Sequence, residues 1–337
     1  MKLVTVAIPV YKRFDFLPKA IQCVASQDYP HIELIVSDNG QNGARVPEIV
    51  RQHYPGRFRF RQNPVPVPIA THFNQLLWEA AGEYHVVLCD DDEISSNYVS
   101  ELVGVLESNS HVTVALARQE IIDASGRVTQ ISSAQLPEQV TGEEFIHLWC
   151  SRTHGYQSWV TFLGRTKEIR DCGGLPEFPI GTHSDNALIV KLCLGKRVAF
   201  NQRSTFRYRL HEESAGLSTT WDILVGGTKS FLEFLDSDPR VLEFARTHPG
   251  QWAGLKKQLR RMTWETYLDR LESIYRKRLS WPSWFRAALA MPFIPAYYCA
   301  LFRSLMRGVR TAAVTSLKKL LPGAYRIYRS LRYRERT

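Results

Sequence analysis

The stretch His85–Glu93 has the sequence His-Val-Val-Leu-Cys-Asp-Asp-Asp-Glu, an apolar run followed at once by four acidic residues. A short apolar run that is rich in β-branched residues and ends in polar ones is typical of a buried strand. We therefore predict a strand over His85–Cys89 with a cluster of carboxylates at its carboxyl end. Burying unpaired carboxylates costs several kcal/mol, so this strand end is expected to need a compensating cation.

Two earlier apolar runs, Leu3–Val10 and Ile32–Ser37, have the same character and also precede polar residues. Helix-length amphipathic stretches over Phe14–Ser26 and Ile69–Ala81 lie between the runs. Strands that alternate with helices predict an α/β fold with a mostly parallel sheet. In such sheets ligands bind beyond the carboxyl ends of the strands, so we expect the chemistry at the residues that follow the three runs.

The rest of the chain predicts further elements of both kinds. These are a broken strand at Ser158–Gly164, a turn at Gly173-Gly174, a helix over Asp185–Leu194, a strand over Arg197–Tyr208 and helical structure from Thr228 to Ser280.

Charge is distributed unevenly along the chain. Its 337 residues include 43 Lys and Arg against 33 Asp and Glu, a formal net charge of +10. Residues 281–337 hold eleven of the basic residues and one acidic residue, so the remainder is neutral. A basic end predicts an anionic partner or a solvated tail. A nucleic-acid-binding protein would be expected to carry basic residues and exposed aromatics on its body as well, which the neutral body disfavours.

The basic end also contains an uncharged run of 16 residues, Ala287–Phe302, with two prolines inside it. The run is shorter than the roughly 20 residues that span a bilayer. After it, Arg303, Arg307 and Arg310 recur on one face of a predicted helix. A basic amphipathic helix beside an aromatic, apolar run is typical of a segment that lies in a membrane interface. The alternative is a helical cap that packs on the body with its arginines in water.

The six cysteines are widely spaced, which excludes zinc and redox motifs that need close pairs. Several of them lie in apolar runs, where cysteine behaves as a small hydrophobic residue. This use of cysteine indicates a reducing compartment.

The ordered series of motifs resembles family 2 glycosyltransferases, in particular bacterial enzymes of cell-surface polysaccharide or lipopolysaccharide synthesis. The matching segments are Val6–Arg13, Ile32–Gly40, Asn74 with Ala81–Tyr84, Leu88–Asp92, and His183–Asn186 followed by a helix and Gly195-Lys196. The resemblance covers residues 1–217. It implies the GT-A fold, the fold of nucleotide-diphospho-sugar transferases. It also implies inverting transfer of a sugar from a nucleotide-diphosphate donor to a lipid-linked or lipopolysaccharide-type acceptor.

The resemblance assigns the nucleotide site to Pro9, Tyr11, Asp38, Asp90 and Asp91. Asp38 would accept a hydrogen bond from the ring N–H of the base, and Tyr11 would pack against the base. Ordinary packing is the alternative for Tyr11. We favour binding for Asp38, because an exposed Asn39-Gly40 turn needs no buried acid.

A divalent metal, Mg²⁺ or Mn²⁺, is the implied cofactor, since these ions take carboxylate and phosphate oxygens. Asp90 and Asp92 form an Asp-X-Asp motif, in which Asp92 would bind the ion directly and Asp90 or Asp91 would contact ribose. His211 could face the ion or the diphosphate, or be a surface or capping residue. The alternative for the acidic run is a solvated turn that caps a helix starting near Ser96.

Asp185 is the implied general base, because inverting transfer needs a carboxylate to remove the proton of the acceptor hydroxyl. The alternative is that Asp185 caps a helix that begins at Asn186. Trp159 and His154 could line the acceptor pocket, since aromatic faces suit sugar rings, and core packing is the alternative for Trp159.

Three residues and one segment depart from the family pattern. Asn39 stands where an acid is usual, Phe73 stands where a basic residue is usual, and the stiff Pro64–Pro68 segment follows Asn63. These three departures leave the identity of the nucleotide open. Ser184 stands where the first acid of a Glu-Asp pair is usual, which leaves the orientation of the base open.

These interpretations divide the chain into a catalytic domain over residues 1–227, a helical region over 228–280 and a basic amphipathic region over 281–337. Within the first, residues 1–105 would bind the nucleotide sugar and residues 106–227 the acceptor. The expected location is the cytoplasmic face of the cell membrane, where 281–337 would meet anionic lipid, and no nucleic-acid partner is expected. Two alternatives are a protein that binds nucleic acid or anionic surfaces through its basic end, and an inactive glycosyltransferase-like scaffold. The retained acids Asp38, Asp90, Asp92 and Asp185 disfavour the scaffold.

Overall fold

The computed structural model describes residues 1–131, 137–151, 162–211 and 221–276. The predicted acceptor residues His154 and Trp159 and the basic region 281–337 therefore lie outside the described residues. Residues Met1–Leu259 form one compact unit, and a second unit covers Arg260–Thr337. The described part of the second unit is the end of the last helix.

The first part of the chain alternates strands with helices, as predicted. The elements are β1 (Val4–Val10), α1 (Leu17–Ala25), β2 (Ile32–Asp38), α2 (Arg45–His53), β3 (Phe58–Gln62), α3 (Ile69–Glu79), β4 (Tyr84–Val87), β5 (Glu93–Ile94) and α4 (Tyr98–Ser108).

The later part is more mixed. It contains β6 (Val112–Ile122), β7 (Val128–Ile131), β8 (Gln139–Thr141), α5 (Gly142–Ser151), β9 (Phe162–Arg165), α6 (Thr166–Asp171), a short 3-10 turn (Pro179–Gly181), α7 (Ser184–Cys193), β10 (Arg197–Arg209), α8 (Trp221–Ser237), α9 (Pro239–Thr247) and α10 (Pro249–Arg276). None of the helices in the described ranges is both long enough and apolar enough to cross a bilayer.

The described strands form a ten-stranded sheet in the order β3-β2-β1-β4-β9-β6-β10-β5, with β7 paired to β6 and β8 paired to β10. β1 is parallel to β2 and β4, β2 is parallel to β3, and β6 is parallel to β10. β9 is antiparallel to both β4 and β6. Six strands, β1 to β4 with β6 and β10, therefore share one direction, and the predicted mostly parallel sheet is confirmed.

Burial explains why the central strands read as apolar runs. Every residue of β1 is buried, because β1 lies between β2 and β4 in the sheet and α3 packs against it. α4 packs on β6 and β10 through a buried stripe, and its members are Tyr98, Val99, Leu102, Val103 and Leu106. Each such side chain contributes roughly 1.5 to 3 kcal/mol on full burial.

The predicted boundaries shift by a few residues, with local causes. β4 stops at Val87, although the Leu88 N–H still donates to Ala7 O at 2.9 Å. The helical region predicted from Thr228 starts at Trp221 and is divided at Asp238. The Asp238 side chain accepts hydrogen bonds from the N–H groups of Arg240 and Val241 and so caps a new helix.

Candidate active site

The carboxyl ends of the parallel strands meet at one edge of the sheet. Val10, the last residue of β1, pairs with Asp38 at the end of β2, and Asp38 pairs with Gln62 at the end of β3. At the far side, Arg209 ends β10 opposite Ile122 of β6. The acidic run after β4 lies between these strand ends, so the sheet brings the predicted nucleotide and metal residues to one edge.

Asp38 is fully buried and holds the turn that follows β2. Its Oδ1 accepts hydrogen bonds from Gly40 N and Asn42 Nδ2, both at 2.7 Å, and its Oδ2 accepts one from Asn42 N at 2.6 Å. Any Cβ at position 40 would lie 1.6 Å from the carbonyl oxygen of Tyr11, so the turn requires glycine there. The premise that this turn is exposed and needs no buried acid is wrong. A base N–H would have to share an Asp38 oxygen with these donors, and the nucleotide role of Asp38 stays a prediction.

Asn39 explains two departures from the family pattern together. Its side chain is buried, accepts hydrogen bonds from Asn63 Nδ2 and Val67 N, and donates one to Val67 O, with all three distances between 2.8 and 2.9 Å. An acid at position 39 could not donate to the Val67 carbonyl. The asparagine therefore fits the proline-rich segment that follows β3.

Tyr11 and Pro9 occupy different environments. Pro9 is buried in β1 opposite Ser37. The Tyr11 ring is 51% exposed, and the Lys12 ammonium lies 5.1 Å from its centroid. Core packing therefore does not account for Tyr11, and an exposed aromatic face at this edge is suited to stacking on a base.

The four acids after β4 have different partners. Asp91 Oδ2 accepts a hydrogen bond from Arg13 Nη2 at 3.2 Å and lies 2.9 Å from His211 Nε2. Glu93 lies in β5 and forms a buried ion pair with Arg209. Asp92 is buried, and its Oδ1 accepts a hydrogen bond from Arg209 N at 2.9 Å. Asp92 Oδ2 is buried and has no hydrogen-bond partner among the described residues.

Burial shifts the ionisation of two of these acids. It raises the pKa of Asp92 well above its usual range, and the neighbouring Asp91 charge adds to this. Burial and the Asp91 charge also raise the pKa of Asp90 to about 7. Both shifts arise because a negative charge here lacks water and sits beside another negative charge. A bound cation would reverse both shifts.

A divalent ion fits this cluster. Ligand atoms of Cys89, Asp91 and Asp92 all lie within 4.8 Å of one another. Burial raises the pKa of the Cys89 thiol well above its usual range, so the sulfur stays neutral and is a poor ligand for Mg²⁺ or Mn²⁺. Asp91 and Asp92 would therefore hold the ion, and the unpartnered Oδ2 of Asp92 would gain a partner. The structure groups Asp91, rather than the predicted Asp90, with Asp92.

Asp185 lies in the first turn of α7 and is half-buried. The helix begins at Ser184, and its N-cap position is His183, with no side-chain cap. The helix thus begins two residues before the predicted Asn186 and Asp185 is not its N-cap residue, although Asp185 Oδ1 accepts a hydrogen bond from Asn186 N at 2.9 Å. The helix dipole stabilises a carboxylate in this first turn.

A strained segment leads into α7. Ile180 and His183 have φ values of 46° and 66°, in the left-handed region that residues other than glycine rarely adopt. Each such residue costs of order 1 to 3 kcal/mol, and strain of this kind clusters at functional sites.

Contacts with α3 place this segment at the same edge as the acids. Asn74 Nδ2 donates to Leu175 O, and Asn74 Oδ1 accepts from Leu175 N, both at 2.8 Å. Closer to the start of α3, a Cβ at Gly181 would lie 2.4 Å from Ile69 Cγ2. Since α3 starts after the carboxyl end of β3, the segment from Leu175 to Gly181 runs along α3 towards that edge, and α7 with Asp185 follows this segment in the chain.

The comparison with known families agrees with this geometry. Residues 5–167 match the model described as Glycosyl transferase family 2. Those residues are a family 2 glycosyltransferase domain. The family 2 match starts in β1 and ends in α6, so it includes the acidic run and stops before Asp185.

Curated relatives and solved structures are similar to the chain over different lengths. The GalNAc(5)-diNAcBac-PP-undecaprenol beta-1,3-glucosyltransferase of Campylobacter jejuni is 30% identical over 106 residues, 31% of this chain and 34% of that protein. An uncharacterized glycosyltransferase of Rickettsia conorii is 28% identical over 216 residues, 63% of this chain and 34% of that protein. The matched stretches cover 18 to 45% of the length of the curated relatives.

The fold comparison extends beyond the family 2 domain. Staphylococcus aureus TarS residues 1–349, solved with UDP-GlcNAc, superpose with a TM-score of 0.59 at 15% identity and cover 82% of each chain. The mannosyltransferase PcManGT from Pyrobaculum calidifontis, solved with GDP-Man and Mn²⁺, gives a TM-score of 0.55 at 14% identity, covering 97% of this chain and 83% of that one. The predicted GT-A fold is confirmed.

Sequence reasoning missed two cations at this edge of the sheet. Arg13 follows β1 and contacts Asp91 and His211. Arg209 contacts Asp92 through its backbone and Glu93 through its side chain. The available signal was that Arg13 and Arg209 lie next to the ends of the predicted strands Leu3–Val10 and Arg197–Tyr208, since acids gathered at one edge need compensating charge.

Proposed function

We propose that the protein is an inverting, metal-dependent glycosyltransferase that uses a nucleotide-diphosphate sugar. The observation that carries this is the buried Asp92 carboxylate, whose Oδ2 has no hydrogen-bond partner among the described residues, at the carboxyl-end edge of a family 2 domain. A buried acid of this kind is costly unless a cation completes it. Its neighbour Asp91 would supply the second oxygen ligand.

The donor would lie across the carboxyl ends of β1, β2 and β4. Tyr11 would stack on the base, and the turn held by Asp38 would border it. Asp90 would contact ribose, as the resemblance implies. Asp91 and Asp92 would hold the divalent ion, which when bound supplies positive charge to the diphosphate leaving group. Arg13 lies beside Asp91 and adds a fixed positive charge at the same place.

Asp185 would act as the general base. Its carboxylate takes the proton from the acceptor hydroxyl while that oxygen attacks the anomeric carbon from the face opposite the diphosphate, which inverts the configuration. Positioned general bases contribute roughly 10²- to 10⁴-fold to rate. The Asn74 contact with Leu175 would fix the segment that carries this base.

We infer a lipid-linked or lipopolysaccharide-type acceptor at the cytoplasmic face of the membrane. Support comes from the basic, aromatic composition of residues 281–337 and from the C. jejuni relative, whose name specifies an undecaprenol-diphosphate acceptor. Residues 281–337 would lie on anionic lipid and hold the site near such an acceptor.

Nucleotide binding tests the proposal most directly. UDP, GDP, ADP and dTDP are added to the protein with Mn²⁺ or with EDTA, and the melting temperature is recorded. One nucleotide is expected to stabilise the protein in Mn²⁺ and much less in EDTA, because the ion would hold the diphosphate. A ligand at 100 times its Kd adds about 2.7 kcal/mol to the free energy of unfolding. The matching radiolabelled sugar nucleotide should then label a bacterial lipid extract. Absence of binding by every nucleotide would leave the inactive scaffold as the explanation.

A further inference from the structure

Arg13, which follows β1, contacts both Asp91 after β4 and His211 after β10. Its Nη2 lies 3.2 Å from Asp91 Oδ2, and its Nη1 lies 2.6 Å from His211 Nε2. The side chains of Arg13, Asp91 and His211 are 29%, 15% and 8% exposed, so water screens this group weakly. The ring of Phe16 lies 5.4 Å from that of His211 and closes one side.

Arg13 Nη1 lies near both ring nitrogens of His211, 2.6 Å from Nε2 and 3.1 Å from Nδ1, and Nε2 also lies 2.9 Å from Asp91 Oδ2. Nε2 carries at most one hydrogen, so it cannot donate to Asp91 and accept from Arg13 at once. With the hydrogen on Nε2, the ring donates to Asp91 and Nδ1 can accept from Arg13. His211 therefore links Arg13 to the carboxylate that Arg13 also contacts directly.

Asp91 also belongs to the cluster that fits a divalent ion. A guanidinium is always positive and attracts the same carboxylate that the ion needs. An ion that approaches Asp91 must therefore share that carboxylate with Arg13 and remain beside a positive charge. A diphosphate would relieve this repulsion, because its oxygens can accept from the guanidinium in a two-point contact.

We propose that Arg13 is a positioning residue that competes with the divalent ion for Asp91 and turns to the diphosphate when the nucleotide binds. This inference rests on the proposed function. Metal binding then depends on the nucleotide, and by thermodynamic reciprocity nucleotide binding depends equally on the metal. The free enzyme would hold little metal, and the donor would arrive with its ion.

The experiment compares the full-length wild type with Arg13→Gln, Arg13→Lys and the control Arg45→Gln. Arg45 is exposed, packs on the Phe14 ring and has no place in the site. Mn²⁺ affinity without nucleotide is measured from the electron paramagnetic resonance signal of free Mn²⁺. Calorimetry then gives the Kd of UDP and of GDP, each in Mn²⁺ and in EDTA.

Arg13→Gln is expected to bind Mn²⁺ about tenfold more tightly than the wild type without nucleotide, a typical size for coupling between two sites. The ratio of nucleotide Kd in EDTA to that in Mn²⁺ should fall by a similar factor. Arg13→Lys keeps the charge and Arg45→Gln leaves Asp91 untouched, so both should bind Mn²⁺ like the wild type.

Equal Mn²⁺ affinity in Arg13→Gln and the wild type overturns the inference, as does an equal gain in Arg45→Gln. If Arg13 only supports the fold, Arg13→Gln lowers the melting temperature and leaves Mn²⁺ affinity unchanged. If wild-type nucleotide binding shows Mn²⁺ dependence and Arg13→Gln preserves it fully, the inference alone fails. If the wild type binds nucleotide equally well in EDTA, the metal role in the proposed function fails and takes the inference with it.

Discussion

The backbone N–H of Arg209 donates a 2.9 Å hydrogen bond to Oδ1 of Asp92. This bond fixes the carboxylate of the acidic run against the end of β10 and leaves Oδ2 as the oxygen without a hydrogen-bond partner among the described residues. The orientation of the candidate metal ligand is therefore set by a backbone group, which side-chain substitution at position 209 would not remove.

Asp92→Asn is expected to abolish Mn²⁺-enhanced nucleotide binding and to lower transfer at least 100-fold. The melting temperature should not fall, because the substitution removes a buried charge. Asp123→Asn, in the turn between β6 and β7, is the control and should retain transfer. Full activity of Asp92→Asn, or of the wild type in EDTA, would refute the role of Asp92.

Asp185→Asn is expected to lower kcat by roughly 10²- to 10⁴-fold while the nucleotide Kd stays within about twofold, since a base acts mainly in the transition state. Stability should change little, because the N-cap position belongs to His183. Asp171→Asn, which loses an exposed pair with Lys167, is the control. Retained turnover with a clear drop in melting temperature would make Asp185 a structural residue.

The contribution of Asp90 to metal-free stability should fall as pH rises. The folded-state pKa of Asp90 is about 7, above the ordinary value near 4, so the folded protein binds more protons than the unfolded chain between these values. The stabilisation that protonated Asp90 gives to the folded state is therefore complete below about pH 4 and is lost as the pH rises through about 7.

In EDTA the melting temperature of the wild type should therefore fall relative to that of Asp90→Asn from pH 5 to pH 8. The buried His72 and His85, whose pKa values burial lowers, act in the opposite direction and are common to both proteins. Mn²⁺-dependent nucleotide affinity should rise over the same range, because the cation displaces protons. Identical pH profiles for the wild type and Asp90→Asn would contradict this assignment.

Asn74→Ala removes both hydrogen bonds to Leu175. It should cost about 1 to 3 kcal/mol of unfolding free energy and lower kcat with little change in nucleotide Kd. Asn109→Ala also removes two side-chain hydrogen bonds, to Gln139 and His111 near the start of β6. Urea unfolding should show a loss in both variants, whereas only Asn74→Ala should lose turnover. Equal turnover in the two variants would show that Asn74 does not position the base.

Deleting residues 283–337 should release the protein from anionic vesicles, since the remainder of the chain carries no net positive charge. Wild-type binding should weaken with salt without vanishing, because screening leaves the apolar contribution intact. Co-sedimentation with anionic and with neutral vesicles measures both effects. Equal sedimentation of the full-length and truncated proteins would refute the membrane role.

The fold was predictable where strands are buried on both faces and helices are amphipathic, so pattern and structure agree for β1, α1, β2, α3 and β4. The sequence did not predict α2 or β3, and β3 is only partly buried. The site was predictable only as far as acids at strand ends. The pairing of Arg13 with His211 joins residues 198 positions apart, a relation that spacing does not encode. The sequence also could not decide whether Asp90 or Asp91 joins Asp92 in the ligand cluster. That choice depends on the direction in which the loop backbone points each side chain.

β4 and β9 meet through two residue pairs, Tyr84 with Arg165 and His85 with Gly164. By contrast, β1 and β2 share seven pairs. Few backbone hydrogen bonds of the sheet therefore link the first four parallel strands to everything beyond them. Side chains carry much of the connection instead, as in the contacts of Asn74 with Leu175 and of Arg13 with His211. The two halves of the candidate site are therefore held in register by the same kind of polar contact that would bind its ligands. The family 2 match stops at residue 167, just past this junction.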